Sequence, residues 1–434
     1  RSMRSFVGIL IIILFVACVR NTSVQVSGRV ETGDSVVYFQ VNDSMYKFRL
    51  DDKHYFSGKI ELEKGTYARF HPYWVQVFLT PGEDLEISLN NVRNMPNSLQ
   101  FKGTLSAINN YLKEQQYRFV AIYDASLLQL EEKDFVDRMR GNINTSLVLL
   151  EAKNLGEEFT RLERERIRYR VAEQAMHYMR GRLATDVEYK PGEIFDQFVS
   201  EFDVNNEEML SFDSYQRFVL NYMYYKGQNL SMRRLVDYIL SHVSSVKVRD
   251  YLLSEVVYGY FQENGLRDSD YLLAVCWNEV SDTSKLVKVK RLVDQWRRLS
   301  PGVTAPSVSL QNDKGEALYL KDLKGEFLYI CAWAPGYGEM KPDIQEKWKE
   351  FAGEYKDKNI RFVTFCMGPS QSLAQVEDLP GEHFVVNNIH AFSSRYMVSL
   401  MPRYMLIDPE GRIVDVNAPK PSGSAKLLLR SVGL

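Results

Sequence analysis

From residue 24 the chain alternates apolar and polar positions in short runs: Val24 and Val26, then Val37, Phe39 and Val41, then Tyr46, Phe48 and Leu50. Tyr67, Val75, Val77, Leu85, Ile87 and Leu89 continue the pattern, broken by turn residues of which Pro81-Gly82-Glu83-Asp84 is the plainest. A period of two with Gly, Asn, Asp and Pro between runs predicts a small antiparallel β-domain over 19–100. At Phe101-Lys102-Gly103 the period changes, and Leu105, Ile108, Tyr111 and Leu112 fall at helical spacing behind Thr104 or Ser106 as N-cap. Helical runs follow at 159–183, 215–225, 232–243, 248–261, 271–280 and 286–299, so 101–299 is predicted to be a helical region. Two prolines and a glycine in Ser300-Pro301-Gly302-Val303-Thr304-Ala305-Pro306 stop the last helix. Beyond them strands and helices alternate, which is α/β architecture over 300–434. The whole reads as a multidomain α+β chain.

The N-terminal segment carries a different signal. Arg1 and Arg4 precede an apolar run over 6–17 that is short for a bilayer span and fits a secretory h-region. It ends in Phe15-Val16-Ala17-Cys18, which resembles a bacterial lipobox, with Phe15 where leucine is usual. The resemblance implies cleavage before Cys18, lipidation of its thiol, and a body tethered to a membrane of the cell envelope and facing the periplasm. An uncleaved anchor with an incidental Cys18 is the alternative. No acidic residue follows in Val19-Arg20-Asn21, so nothing favours surface export.

Charge narrows the partners. Lys plus Arg number 54 against 56 Asp plus Glu, a net charge of −2 over 434 residues, so no basic footprint for nucleic acid is present. The arginines at 161, 164, 166, 168, 170, 180 and 182 alternate with glutamates at 158, 163, 165 and 173, the pattern of a solvated, salt-bridged helix face. None of the six histidines pairs with another at ligand spacing, and no glycine-rich phosphate loop follows a strand. Neither a metal nor another cofactor is predicted. With Cys18 assigned to lipid, Cys276, Cys331 and Cys366 remain, an odd number that argues against a disulfide framework and for buried thiols acting as small hydrophobes.

The C-terminal part resembles the TlpA-like thioredoxins of bacterial envelopes. The residues that carry the resemblance are Gly302, Ala305 and Pro306 (with Val308 in place of an aromatic), Leu320, Leu323 and Gly325, Trp333-Ala334, then Pro402 and Leu406-Ile407-Asp408 with Gly411. The β-domain together with Phe101, Gly103 and Asn110-Tyr111-Leu112 also looks like the N-terminal part of such lipoproteins from Bacteroidetes. The resemblance implies a thioredoxin fold, a cis-proline at Pro402, and a redox dithiol on the loop after Trp333. That dithiol is absent. The loop reads Trp333-Ala334-Pro335-Gly336-Tyr337-Gly338-Glu339-Met340, and in ungapped alignment Tyr337 and Met340 replace the two cysteines. A gapped alignment instead matches Glu339-Met340 to a Glu-Met-Pro that follows the dithiol in relatives, shortening the loop by about three residues. In both, the nucleophilic thiolate is missing.

Two functions compete on these residues. In the first, the chain is a non-catalytic thioredoxin-fold lipoprotein whose cleft between the loop and Pro402 binds an extended peptide or an envelope protein, with Trp333, Tyr337 and Met340 as an apolar floor. Those three can equally be ordinary packing that fills the space of the lost dithiol. In the second, it is a thiol-disulfide oxidoreductase that uses Cys331 or Cys366 unconventionally, as a displaced pair, or draws on a partner's thiol.

Overall fold

The computed structural model describes residues 22–31, 33–42, 44–118, 125–186, 188–227, 230–267 and 269–434. The signal and lipobox reading, with Cys18, lies outside them. The chain divides into two compact units, one running to Asp203 and including Glu208–Phe218, the other made of Val204–Glu207 and Val219–Leu434.

Among the described residues the first unit opens with eight strands: β1 (Ser23–Val30), β2 (Val36–Val41), β3 (Ser44–Arg49), β4 (Tyr55–Glu61), β5 (Thr66–His71), β6 (Val75–Leu79), β7 (Asp84–Leu89) and β8 (Leu99–Lys102). They form two four-stranded sheets, ordered β4-β1-β7-β8 and β3-β2-β5-β6. Alternation sets which residues enter the core: Val24, Val26, Val37, Phe39, Phe70 and Ile87 are fully buried while their strand neighbours are not. Phe39 packs its ring against Phe48, Phe56 and Phe70 at 5.0–6.1 Å between centroids. The expectation of a purely antiparallel domain fails at one pair, since β1 and β7 run parallel with Val26 opposite Leu85. Hairpin turns are legible locally, whereas a parallel pair forms only after the chain has crossed over and leaves no turn signature.

Helices complete this unit. Asn109, buried on the helix Ser106–Arg118, donates to the carbonyl of Phe78 at 3.0 Å and accepts from its N–H at 2.7 Å, so the outer edge of β6 is satisfied there by a side chain. The long helix Glu157–Thr185 carries the arginine-rich stretch. Its outer face is solvated as expected, with Arg161 paired to Glu208 and Arg164 to Glu151. Glu163 and Arg166 depart from that expectation: both are buried, bonded to each other at 2.5 Å, and capped by Tyr67 of β5 and Gln76 of β6.

The region read as helical, 101–299, contributes helices to both units. Helices up to Ser200 belong with the first two sheets, and those from Met232 belong with the C-terminal sheet. Within each unit these helices pack largely on one another, as where Phe135 of Glu132–Lys153 stacks on Tyr178 of Glu157–Thr185 at 3.9 Å between ring centroids. In the second unit the helices Met232–His242 and Val246–Asn264 begin at Ser231 and Ser245, whose side chains accept from backbone N–H groups three residues on.

The remaining strands are β9 (Ser309–Gln311), β10 (Ala317–Tyr319), β11 (Phe327–Trp333), β12 (Ile360–Cys366), β13 (Glu382–Val386), β14 (Arg403–Ile407) and β15 (Ile413–Ala418). They make one mixed sheet, β10-β9-β13-β12-β11-β14-β15, in which β11, β12 and β13 are parallel and β14 is antiparallel to β11. β11 and β12 are almost wholly buried, as their unbroken apolar runs require. One face packs Tyr329, Cys331 and Trp333 against the helices Pro342–Glu354 and Gly423–Ser431 through Trp348, Phe351 and Leu429. The other face receives the helix Val287–Arg297, whose Trp296 lies 5.8 Å from the Arg403 guanidinium.

Candidate functional site

The loop between β11 and the helix Pro342–Glu354 stands where the missing dithiol was expected. Pro342 opens the helix at its first position, so Tyr337 and Met340 both precede it. Gly336 and Gly338 take positive φ values of 75° and 74°, and the loop closes on itself through Glu339, which accepts the Gly336 N–H at 2.7 Å. The peptide bond between Met401 and Pro402 is cis, and the loop lies directly on it. A Cβ on Gly338 would stand 2.4 Å from Cβ of Met401 and 2.8 Å from its backbone. Gly338→Ala therefore meets both a disfavoured φ and a backbone clash. It is expected to lower stability by about 2–3 kcal/mol, measured by chemical denaturation, and a change within a few tenths would show that the loop is free to withdraw.

The three residues read as a possible apolar floor separate. Trp333 is fully buried and Met340 is 3 % exposed, both within the sheet core. They pack; they do not line a cleft. Tyr337 is 63 % exposed. Met340 fills the space over Cys331, whose thiol donates to the Met340 thioether at 3.4 Å. A further anchor is Gln345, which donates to the Met340 carbonyl at 2.6 Å and holds the loop end against the first helical turn.

The thiols are equally enclosed. Cys276, Cys331 and Cys366 are free cysteines, each fully buried. In the β11–β12 register Cys331 stands opposite Thr364 and Cys366 opposite Trp333, so the two thiols share a sheet face but not a cross-strand pair. Burial pushes the Cys331 thiol up to about 12, with Tyr404 beside it opposing weakly, and pushes Cys366 up to about 11. Cys276, in the helix Ser269–Glu279, is raised to about 12 for the same reason. Burial likewise pushes the Tyr404 hydroxyl well above the ordinary tyrosine range.

What the arrangement does present is a groove of about 410 Å³ that sequence reasoning placed only in part. Pro402 and Tyr404 form one side, and Asp343, Ile344 and Lys347 on the first turns of the helix form another. Lys420 and Pro421, from the turn after β15, close it. That turn is pinned where Tyr329 donates from the core to the Pro419 carbonyl at 2.6 Å. Pro402 was legible as the proline before a Leu-Ile-Asp strand. The Lys420-Pro421 turn carried no motif and reaches the groove only through the β14–β15 hairpin.

Next to the cis bond, Arg403 points to the opposite face. It is buried, donates to the Met397 carbonyl at 3.3 Å, and has its guanidinium pulled down to about 10 by burial, with Asp415 opposing. Among the described residues no group of three or more His, Cys, Asp or Glu side chains could hold a metal ion, and no helix is long and apolar enough to cross a membrane.

No protein-family model matches the chain. Among curated proteins it is similar to the thiol-disulfide oxidoreductase ResA of Bacillus subtilis, at 27 % identity over 124 residues, covering 27 % of this chain and 67 % of ResA. Among solved structures it is similar to the thioredoxin domain of a thiol-disulfide oxidoreductase from Bacteroides vulgatus, at 17 % identity, 31 % of this chain, 98 % of that chain and a TM-score of 0.28. A thiol-disulfide oxidoreductase from Bacteroides fragilis gives 19 % identity, 30 % and 98 % coverage and a TM-score of 0.27. The similarity to ResA covers part of this chain, and ResA is a thiol-disulfide oxidoreductase.

Proposed function

We propose that this chain is a thioredoxin-fold lipoprotein of the cell envelope, anchored through Cys18, that binds an extended polypeptide in the groove beside Pro402 and does not exchange disulfides. The observation that carries the reading is the occupancy of the dithiol position. Tyr337 and Met340 stand there. Tyrosine ionises only near pH 10, and a methionine thioether has no proton to lose. The nearest thiols, Cys331 and Cys366, are sealed in the core with raised proton affinity, the reverse of the exposed, low-pKa thiolate that attacks a disulfide. The groove keeps what extended-peptide binding requires, a concave apolar wall beside a rigid backbone segment.

The second reading, an oxidoreductase that uses Cys331 or Cys366, has the names of the relatives in its favour. Insulin reduction by dithiothreitol separates the two. The full chain is expected to leave the rate at the uncatalysed background. Catalysis that disappears in Cys331→Ser or Cys366→Ser would overturn the binding reading. For the anchor, Cys18→Ala is expected to release the protein from the membrane fraction, and retention would point to an uncleaved N-terminal helix.

A further inference from the structure

The groove is not neutral. Lys347 projects from the helix Pro342–Glu354 and Lys420 from the turn before the helix Gly423–Ser431, and both are exposed and line the cavity. Neither has an ion-pair partner among the described residues, whereas Lys426, on the same C-terminal helix as that turn leads into, is paired with Glu354 at 2.6 Å. Among the described residues the acid lining the groove is Asp343, in the first helical turn. Two unpaired ammonium groups therefore face one carboxylate. Between them the walls are apolar: Ile344, Pro402, Tyr404 and Pro421.

We propose that this groove selects an extended segment bearing an acidic side chain, with Lys347 and Lys420 as the groups that recognise it. The inference rests on the peptide-binding reading above and adds its chemical class. A carboxylate entering the cavity meets two cations against the single carboxylate of Asp343, beside the apolar walls. A basic segment meets like charge at both positions and is turned away. The turn that carries Lys420 is held, with Tyr329 bonded to the Pro419 carbonyl and the Ser422 hydroxyl donating to the Lys420 carbonyl at 2.8 Å. Recognition at that position starts from an ordered backbone. Close by, Tyr337 and Leu400 are exposed apolar residues, each one position from the contact between Gly338 and Met401. They suit an apolar residue flanking the acidic one.

The test uses the full chain and fluorescence polarisation with three labelled, proline-free peptides identical except at the centre: Asp-Leu-Glu, the isosteric Asn-Leu-Gln, and Lys-Leu-Lys. The acidic peptide is expected to bind about three- to tenfold more tightly than the amide peptide, and the basic peptide more weakly than either. The preference should fade when salt shortens the screening length and vanish in Lys347→Gln/Lys420→Gln, whose substitutions lie on the surface. Equal binding of acidic and amide peptides, or a preference that survives the double substitution, overturns the charge assignment and leaves peptide binding standing. Failure of all three to bind overturns both.

Discussion

Replacing Glu163 with alanine is expected to destabilise the first unit by about 3–5 kcal/mol, the cost of leaving a buried charge without its partner. Arg166 donates to both carboxylate oxygens of Glu163, at 2.6 and 2.5 Å, and Tyr67 donates to Glu163 at 2.5 Å. Arg166 also donates to the Gln76 side chain at 3.0 Å. Burial works against the Arg166 charge, yet Glu163 beside it holds the guanidinium well above its ordinary value. Burial, and then the Glu163 carboxylate, push the Tyr67 hydroxyl far up as well. Without the carboxylate, the guanidinium is left with Gln76 and the uncharged Tyr67, whose ring lies 5.3 Å away. The helix Glu157–Thr185 would then lose its hydrogen bond from Tyr67 of β5 to the Glu163 carboxylate. Chemical denaturation monitored by tyrosine fluorescence checks this. A loss below about 1 kcal/mol, the range of exposed pairs, would mean that water reaches the pair.

The second large effect concerns thiol chemistry. At pH 8 Cys276, Cys331 and Cys366 are expected to resist iodoacetamide while the chain is folded and to react fully in denaturing guanidinium. Raising Cys331 from 9.0 to about 12 lowers its thiolate fraction about a thousandfold, and complete burial removes access as well. Mass spectrometry of the labelled peptides reads the result site by site. Rapid native labelling at Cys331 or Cys366 would return the oxidoreductase reading to the front. The same shifts set a direction for stability. A thiol whose folded pKa lies above its unfolded value contributes fully below the unfolded value, near 9. It loses that contribution as the pH rises through the folded value, about 11 for Cys366 and about 12 for Cys331. The second unit should therefore weaken across that alkaline window and show no response of these groups below it.

Much of the architecture was legible because it is written in periodicity. The helix expected over 159–183 is Glu157–Thr185, and the strand expected to end at Cys366 does end there. β4 escaped notice since only Phe56 and Ile60 are buried in it and Gly58 interrupts the alternation, packed against the Phe48 ring. The helix Glu132–Lys153 fell inside the expected helical region but was not singled out, although Phe135, Met139 and Ile143 recur every four residues. The burial of Glu163 and Arg166 was hidden for another reason. A Glu three residues before an Arg is equally a surface pair, and only the strands that cover it decide otherwise. At the candidate site, the loss of the dithiol and the position of Pro402 were readable from residue identity. The groove was not, because Lys347 and Lys420 lie far apart in the chain and meet only through the fold.

The partnership between the helix Val246–Asn264, the turn after it and the last two strands has a practical bearing. Ser399 donates to the Gln262 carbonyl at 3.0 Å, Asn417 donates to the Glu263 carbonyl at 3.3 Å, Arg267 pairs with Asp415 at 3.0 Å, and Arg403 rests on Trp296. Anyone trimming the chain at the proline-rich joint near Pro301 to isolate the α/β part would strip the cover from Arg403 and from the segment leading into Pro402. A fragment meant to keep that cover is better begun upstream of the helix Met232–His242, so that the helices stay with the sheet they shield.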